Sequence, residues 1–278
     1  MYDSWFCPLS RYHHLRVLLF ALLCKPGMYR EAYGVIVIPA LNLRVQGLSP
    51  VNVIIGGHSN LISIIIPVHP MSATDEKAQI RKTIRKRRKS LTEHEQQLFA
   101  RKLANHVLAH IKAIKSDDEQ ANLKIAIFLS MDGEIGTNDT IQTLWQQNCE
   151  VYLPRIHPFN PKQLIFFRFE HHTKLIKSKL GIFEPELNCQ QLCPVSELDI
   201  IFTPLVAFDA KGHRLGMGGG FYDRTLAPLD SQNSAANYKP RIIGLAHNCQ
   251  QVEQVPTQSW DLPLSQIITP NGLAINQN

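Results

Sequence analysis

The sequence predicts an α/β protein, specifically a three-layer Rossmann-like domain with a mainly parallel sheet and N-terminal helices. Two observations lead to this prediction. From residue 124 onward, short apolar runs without alternation recur between polar segments, which is typical of strands buried on both faces of a parallel sheet. Segments with helical hydrophobic spacing precede and separate these runs, and strands that alternate with helices are characteristic of α/β domains.

Two helices are predicted before the first strand of this sheet, over 75–89 and 92–115. Thr92 precedes Glu95 by three residues, and this pair forms a capping signal at the start of the second helix. The apolar residues of that helix recur at helical spacing: Leu98, Leu103, Val107, Leu108 and Ile111.

Five strands follow in the prediction, and a third helix separates the first two. That helix is expected to begin at a cap supplied by Thr137 or Asn138 and to end near Gln147. The polar segment 227–240 is expected to be a loop. The predicted strands cover 124–130, 149–156, 163–169, 198–208 and 241–247.

Composition and charge narrow the class of partner. The formal net charge of +6 over 278 residues favours anionic partners such as nucleotides, polyglutamate tails or nucleic acid. The basic run at 81–89 is compatible with nucleic-acid binding, but a solvated helix face is the commoner role and is preferred here. The six cysteines include no CxxC pair and no zinc-like spacing, and we interpret them as reduced thiols of a cytoplasmic protein.

The chain changes character near residue 70. Residues 1–70 contain two acidic side chains, Asp3 and Glu31, and three apolar runs that are each too short to cross a membrane. At Met71 a short polar lead and a strongly helical segment begin, as at the start of a protein. We therefore expect residues 1–70 to be an upstream extension absent from the native protein, or else a disordered or targeting segment, with no membrane-spanning part.

The most informative stretch is RLGMGGGFYD, from Arg214 to Asp223, which follows a predicted strand and has four glycines within five positions. Glycine allows close backbone approach to a ligand, and a helix predicted to begin near Phe221 would present N–H groups to an anion. Arg214 adds a positive charge suited to phosphate, and Asp223 is placed to bind Mg²⁺ or to cap the helix. The pattern is neither Walker A nor a GxGxxG on a first strand, so it predicts a different phosphate-binding loop; the alternative is a tight turn without a ligand.

This stretch resembles the signature of the 5-formyltetrahydrofolate cyclo-ligase (5,10-methenyltetrahydrofolate synthetase) family. Three other segments resemble the family in order and spacing: KAQIR at 77–81, FLSMDGEIGT at 128–137 and VEQVPTQSWDLPLSQIITP at 252–270. The resemblance covers about 71–271 and implies that 71–278 is the catalytic domain. Two positions depart from the family pattern, because many relatives carry Lys at Gly219 and an acidic residue at Gly136.

The resemblance implies roles for the matching residues. Lys77, Arg81 and Arg214 would act in catalysis through the phosphates of ATP, while Asp223 and Asp261 would hold Mg²⁺. The folate would contact Met131, Glu134 and the loop residues Met217, Gly218, Gly219, Gly220 and Phe221. ATP would contact Lys77, Ala78, Gln79, Ile80, Arg81, Arg214, Leu215, Gly216, Met217, Gly218, Gly219, Gly220, Phe221 and Tyr222.

The implied function is the ATP- and Mg²⁺-dependent cyclisation of 5-formyltetrahydrofolate, with or without a polyglutamate tail, to 5,10-methenyltetrahydrofolate in one-carbon metabolism. ADP and phosphate would be released. Two alternatives stay open: a domain of this family that has lost catalysis and binds RNA or nucleotide through its basic helix, and an ATP-dependent ligase of the same fold that acts on another amide. The presence of Glu134, Asp223 and Asp261 favours the enzyme.

Overall fold

The chain divides into two compact units, one ending at Met71 and the other covering 72–278. In the first unit, β1 (Val51–Gly57) and β2 (Asn60–Ile66) pair in antiparallel register. The expectations for residues 1–50 lie outside the described residues, and no described helix is long and apolar enough to cross a membrane. The structure, a computed structural model, describes residues 51–57, 60–66, 72–115, 122–178, 181–230, 240–258, 261 and 263–276.

The described part of the second unit contains four α-helices and twelve strands. The helices are α1 (Ala73–Lys89), α2 (Glu93–Ile114), α3 (Asn138–Gln146) and α4 (Phe221–Asp230). The strands are β3 (Lys124–Ala126), β4 (Glu150–Ile156), β5 (Leu164–Arg168), β6 (Leu175–Lys177), β7 (Phe183–Pro185), β8 (Leu192–Cys193), β9 (Ile200–Pro204), β10 (Ala207–Phe208), β11 (Arg214–Leu215), β12 (Arg241–Leu245), β13 (Gln266–Thr269) and β14 (Gly272–Asn276).

Eight of these strands form one sheet in the order β14-β13-β12-β9-β3-β4-β5-β8. The five central strands, from β13 to β4, run parallel, and the strands at the two edges pair antiparallel. The pairs β6-β7 and β10-β11 are separate antiparallel hairpins. The prediction of a mainly parallel sheet is therefore confirmed, while the antiparallel edges were not predicted.

Helices cover both faces of the sheet. On one face, Leu103 and Ile111 of α2 pack in a buried cluster with Ile125 of β3. On the other face, Leu226 of α4 packs with Ala126, the residue that follows Ile125 and points the opposite way. Burying strands on both faces requires apolar residues at successive positions, which explains the unalternating runs in the sequence. The three-layer α/β prediction is confirmed.

Most element bounds agree with the prediction within two residues, and the cap of α2 is as expected. The Thr92 hydroxyl accepts a hydrogen bond from the Glu95 N–H, and the Glu95 carboxylate accepts one from the Thr92 N–H. At α3 the expectation was wrong, because Thr137 stands at the cap position without a capping bond. Its hydroxyl donates instead to the Phe128 carbonyl at 2.7 Å.

Three other predicted bounds were wrong. β3 ends at Ala126 rather than at residue 130, because the chain turns into the loop that Thr137 ties down. The strand predicted over 198–208 is broken between β9 and β10, where the Val206 N–H donates to the Leu215 carbonyl of the hairpin at 2.7 Å. The loop predicted over 227–240 is helical as far as Asp230, since the burial of Leu226 anchors α4 to the sheet; residues 231–239 lie outside the described part.

The parallel strands place their carboxyl ends at one edge of the sheet. The segment 127–137 follows β3 at this edge, and the segment 205–220 follows β9, the neighbouring strand. Ligands of open α/β sheets bind at this edge. Residues far apart in the sequence are therefore brought together there.

Candidate active site

The glycine-rich loop leaves the hairpin formed by β10 and β11, and a buried carboxylate fixes the turn of that hairpin. Asp209 accepts hydrogen bonds from the N–H groups of Lys211 (2.9 Å) and His213 (3.1 Å). It also accepts one from the N–H of Val255 at 3.1 Å, on the segment that leads to Asp261. The start of the loop and that segment are therefore held together by one buried group.

Two arginines hold the carbonyl groups of the loop. Arg81 of α1 donates through Nε to the Gly216 carbonyl at 2.9 Å. Arg224 of α4 donates to the Gly219 carbonyl, and its Nε donates to the Lys162 carbonyl at 2.9 Å. The loop is thus clamped from the helix that precedes the sheet and from the helix that follows the loop.

Backbone conformation explains why glycine is needed in this loop. Gly218 has φ of 103° and Gly220 has φ of 61°, in the region that other residues rarely adopt. At Gly219 the constraint is space, since an added Cβ would lie 2.6 Å from the ring of Phe221. Any side chain at this position would require that ring to move.

Three cations and two carboxylates surround the loop. Lys77 and Arg81 are four residues apart on α1 and therefore share one helix face. The Lys77 ammonium lies 3.3 Å from the Asp261 carboxylate, which also accepts a hydrogen bond from the Gln258 N–H at 3.0 Å. Arg214 pairs with Asp223 in the first turn of α4 at 2.5 Å.

The residues between Lys77 and Arg81 point elsewhere. Ala78 and Gln79 are exposed, and Ile80 packs against a cluster that contains Ile84 and Leu215. Helical periodicity explains the exposure of Ala78 and Gln79, because side chains one and two positions after Lys77 point to other faces of the helix. Ile80 is turned toward the apolar cluster instead. None of these three residues lines the cavity that contains Lys77 and Arg81. Their contact with ATP stays a prediction.

The predicted substrate glutamate sits in a tight turn after β3. The Glu134 N–H donates to the Met131 carbonyl at 2.9 Å, and the Met131 N–H donates to the Glu134 carboxylate at 3.2 Å. Asp132 and Gly133, between them, have φ of 51° and 74°. Burial raises the pKa of Glu134 to about 7, although the Met131 N–H and the Arg88 guanidinium favour the ionised form. The Glu134 side chain is therefore held in a largely dry position, where its ionised form is disfavoured.

One cavity of about 570 Å³ joins these features. Its lining contains the three cations, both aspartates and the glycine loop, together with mostly apolar side chains and the carboxylates of Glu134 and Glu184. The volume is in the range of small-molecule sites. The lining residues are Lys77, Arg81, Phe128, Leu129, Met131, Glu134, Leu153, Pro154, Ile156, Leu164, Ile182, Phe183, Glu184, Pro204, Leu205, Arg214, Leu215, Gly216, Met217, Gly218, Gly219, Gly220, Phe221, Tyr222, Asp223, Gln258 and Asp261.

The donor set fits Mg²⁺ bound together with a nucleotide. Asp223 and Asp261 both line the cavity, and Mg²⁺ in nucleotide sites is commonly held by one or two carboxylates together with phosphate oxygens and water. Within the described residues there is no cluster of three or more His, Cys, Asp or Glu side chains that would form an all-protein metal site. The phosphates would therefore supply the remaining ligands.

The sequence did not single out two arginines that contribute to this site. Arg224 was not noticed because it lies outside the glycine run, although its position one turn into α4 places it beside the loop. Arg88 was hidden in a run of basic residues, yet Ile80, Ile84 and Arg88 are successive i+4 positions, and this spacing indicates that Arg88 lies on the buried face of α1.

The structure also reduces the basic surface available to nucleic acid. Of the run at 81–89, Arg88 is completely buried, and Arg85 and Lys89 both pair with Asp132, at 2.6 and 2.8 Å. These residues are engaged in contacts within the protein, so fewer cations of the run are available to bind nucleic acid.

Comparison with known proteins gives the family. A model described as the 5-formyltetrahydrofolate cyclo-ligase family matches residues 73–270. The 5-formyltetrahydrofolate cyclo-ligase of Haemophilus influenzae is 48% identical over 196 residues, which cover 70% of this chain and 98% of that protein. The protein of the same name from Escherichia coli (strain K12) is 40% identical over 188 residues, covering 68% and 97%.

A solved structure agrees with these relatives. The NMR structure of Aquifex aeolicus 5,10-methenyltetrahydrofolate synthetase is similar with a TM-score of 0.56 and 25% identity, over 73% of this chain and 93% of that chain. The family resemblance seen in the sequence motifs is thereby confirmed. This chain belongs to the 5-formyltetrahydrofolate cyclo-ligase family.

Proposed function

We propose that this protein catalyses the ATP- and Mg²⁺-dependent cyclisation of 5-formyltetrahydrofolate to 5,10-methenyltetrahydrofolate, with release of ADP and phosphate, in one-carbon metabolism. The observation that carries the proposal is the composition of the cavity that contains the glycine loop and Glu134. The cations and the glycine loop of this lining suit a triphosphate, while its apolar side chains and buried carboxylates suit a pterin. Family membership supports the same substrate.

The proposed chemistry needs no nucleophile from the protein. The oxygen of the N5-formyl group attacks the γ-phosphorus of ATP, and the bond between that phosphorus and the bridging oxygen of ADP breaks. The formyl oxygen thereby becomes part of a phosphate, which is a good leaving group. The lone pair of N10 then attacks the formyl carbon, the N10 proton is lost, and the carbon–oxygen bond breaks as phosphate departs. The protein contributes alignment and charge stabilisation.

The charges near the loop match that demand. Lys77, Arg81 and Arg214 would neutralise phosphate oxygens, and the N–H groups of the loop would add further donors. Arg224 is a fourth cation close to the loop, beside Gly219, the position at which the family pattern described above has Lys. We propose that it supplies part of the charge that this chain lacks there. Bound Mg²⁺, held by Asp223 and Asp261, would offset the charge that develops during phosphoryl transfer.

The other end of the cavity would hold the folate. Glu134 would accept hydrogen bonds from N–H groups of the pterin ring, and Met131, which is partly exposed on the same turn, would pack beside it. Met217 and Phe221 of the loop line the same cavity, so the formyl group would lie between the pterin contacts and the triphosphate. A polyglutamate tail would extend toward solvent, where the net positive charge of the protein favours it.

The decisive experiment measures formation of the methenyl product by its absorbance when 5-formyltetrahydrofolate, ATP and Mg²⁺ are added. We expect a rise that requires all three components and is lost in Arg214→Ala. A substrate panel with other N-formyl compounds and an RNA-binding measurement accompany it. Absence of product, together with turnover of another amide or tight RNA binding, would replace the proposed function by one of the alternatives.

We further propose that the native enzyme begins at Met71 and works in the cytoplasm. The family model begins to match at residue 73, two residues after that methionine, which supports the proposal. Mass spectrometry of the native protein tests it. A peptide from upstream of Met71 would show the proposal to be wrong.

A further inference from the structure

Arg88 occupies an unusual position for a charged side chain. It is fully buried on α1, and none of its three guanidinium nitrogens has a hydrogen-bond partner within the described residues. Its backbone packs directly on the turn after β3, because a Cβ added at Gly133 would lie 3.5 Å from the Arg88 Cβ. A buried cation is costly unless a nearby negative charge compensates it.

Two carboxylates lie within ion-pair distance of this guanidinium. One nitrogen is 3.6 Å from Asp132 Oδ2, and another is 4.0 Å from Glu134 Oε1. Asp132 already pairs with Arg85 and Lys89 at 2.6 and 2.8 Å, and these contacts lower its pKa to about 2. Glu134 is the more buried of the two carboxylates and faces the cavity.

The other groups around Glu134 do not duplicate the charge of Arg88. Asp132, on the same turn, is an anion and disfavours ionisation of Glu134. Tyr222 of α4 lines the cavity, and burial and the charge of Glu134 both raise its pKa, so the phenol is neutral. His247, after β12, is buried, and burial together with the charge of Arg88 lowers its pKa to about 4, so its ring is neutral as well.

We propose that Arg88 is a positioning residue for the folate site: a buried counter-charge that favours the ionised form of Glu134 and directs its carboxylate into the cavity. It would not touch the substrate itself. This inference rests on the proposed function, because Glu134 is taken to accept hydrogen bonds from the pterin. An ionised carboxylate accepts those bonds, whereas a protonated one loses acceptor capacity and folate affinity falls.

The charge relations give opposite expectations for two neighbouring substitutions. Removing the positive charge in Arg88→Met moves ionisation of Glu134 to higher pH, and removing the negative charge in Asp132→Asn moves it to lower pH. Asp132 does not line the cavity, and asparagine tolerates its positive φ, so Asp132→Asn is a matched control on the same turn. A purely structural role of either residue would not produce shifts of opposite sign.

The experiment measures the dissociation constant of 5-formyltetrahydrofolate from about pH 6 to about pH 9 for the wild type, Arg88→Met, Arg88→Lys and Asp132→Asn. For Arg88→Met we expect ionisation of Glu134 to shift by about one pH unit to higher pH. Binding should then be about tenfold weaker at about pH 6 and about fivefold weaker at about pH 7, with recovery toward the wild-type value at the alkaline end. Arg88→Lys should restore part of the loss, Asp132→Asn should bind more tightly at acidic pH, and ATP affinity should change less than about twofold.

Glu134→Gln separates failure of this inference from failure of the proposed site. If Glu134→Gln leaves folate binding unchanged, the role given to Glu134 is wrong. If Glu134→Gln weakens folate binding but the Arg88 and Asp132 variants lose affinity equally at every pH, or lose ATP affinity to the same extent, the role of Arg88 is overturned while the proposed function stands. Should Arg88→Met fail to fold, Arg88→Lys and Asp132→Asn still decide the sign of the shifts.

Discussion

Replacing Glu134 by glutamine is predicted to stabilise the ligand-free protein at alkaline pH while it weakens the binding of folate. Glutamine keeps the size of the side chain and removes its charge. Only 9% of the Glu134 side chain is exposed, and burial raises its pKa from 4.5 to about 7. Because the folded-state pKa is raised, the stability that this group contributes is fully present below its unfolded-state pKa and is lost as pH rises through about 7.

The size of the effect follows from the two pKa values. Moving a carboxyl pKa from 4.5 to about 7 corresponds to about 3 kcal/mol of the free energy of unfolding, lost between those two pH values. The free energy of unfolding of Glu134→Gln relative to that of the wild type should therefore be higher at alkaline than at acidic pH by up to about 3 kcal/mol. For a domain of this size that corresponds to a difference of about 6–12 °C in melting temperature.

The assay is urea denaturation followed by circular dichroism, on both proteins without ligand, at about pH 5 and at about pH 8.5. Comparing the two proteins at the same pH cancels the titration of all other groups that the substitution leaves unchanged. An equal stability difference at both pH values would refute the reasoning, since it would show that Glu134 ionises normally in the folded state. Folate affinity measured on the same samples should change in the opposite direction from stability.

Three further substitutions test the phosphate end of the cavity. Asp223→Asn should abolish the increase in ATP affinity that Mg²⁺ gives and leave metal-free ATP binding nearly unchanged; an unaltered Mg²⁺ dependence would remove Asp223 from the metal site. Gly218→Ala should cost about 1–2 kcal/mol of stability because of the positive φ of Gly218. Gly216→Ala should cost far less, because no heavy atom lies within 4 Å of the new methyl group. Equal melting temperatures of the two variants would contradict backbone strain at Gly218. Arg224→Ala should raise the KM for ATP about tenfold with little change in the KM for folate, as expected for loss of one charge-assisted contact; equal changes in both would point to general loosening of the loop.

The elements that could be predicted are those that local sequence determines. The Thr92–Glu95 capping box lies within one turn and needs no tertiary information, and it forms as expected. Residues 200–202 are apolar at successive positions because both faces of the strand are covered. The glycine loop was recognisable for a similar reason, since its backbone conformations are a local requirement.

What could not be predicted depends on which surface a side chain meets. Arg88 looks like the basic residues around it. Its spacing from Ile80 and Ile84 places it on the buried face of α1, but the turn 131–134, whose carboxylates lie near its guanidinium, comes more than forty positions later in the chain. Arg87, the preceding residue, stays exposed. The same holds at the start of α1, where the family motif suggested a continuous contact from Lys77 to Arg81. The helix turns the intervening side chains away from the cavity.

The pairing of charges around the glycine loop has a consequence for the order in which ligands enter. Lys77 pairs with Asp261 and Arg214 with Asp223, so two of the three cations that we propose for phosphate are neutralised by the two carboxylates that we propose for the metal. Under the proposed function, a bare nucleotide would have to separate these pairs and leave two carboxylates beside its own negative charge. A nucleotide that arrives with its Mg²⁺ exchanges partners instead, because the phosphates take the cations while the metal takes the carboxylates. The site would thereby select the metal complex of ATP over either component alone.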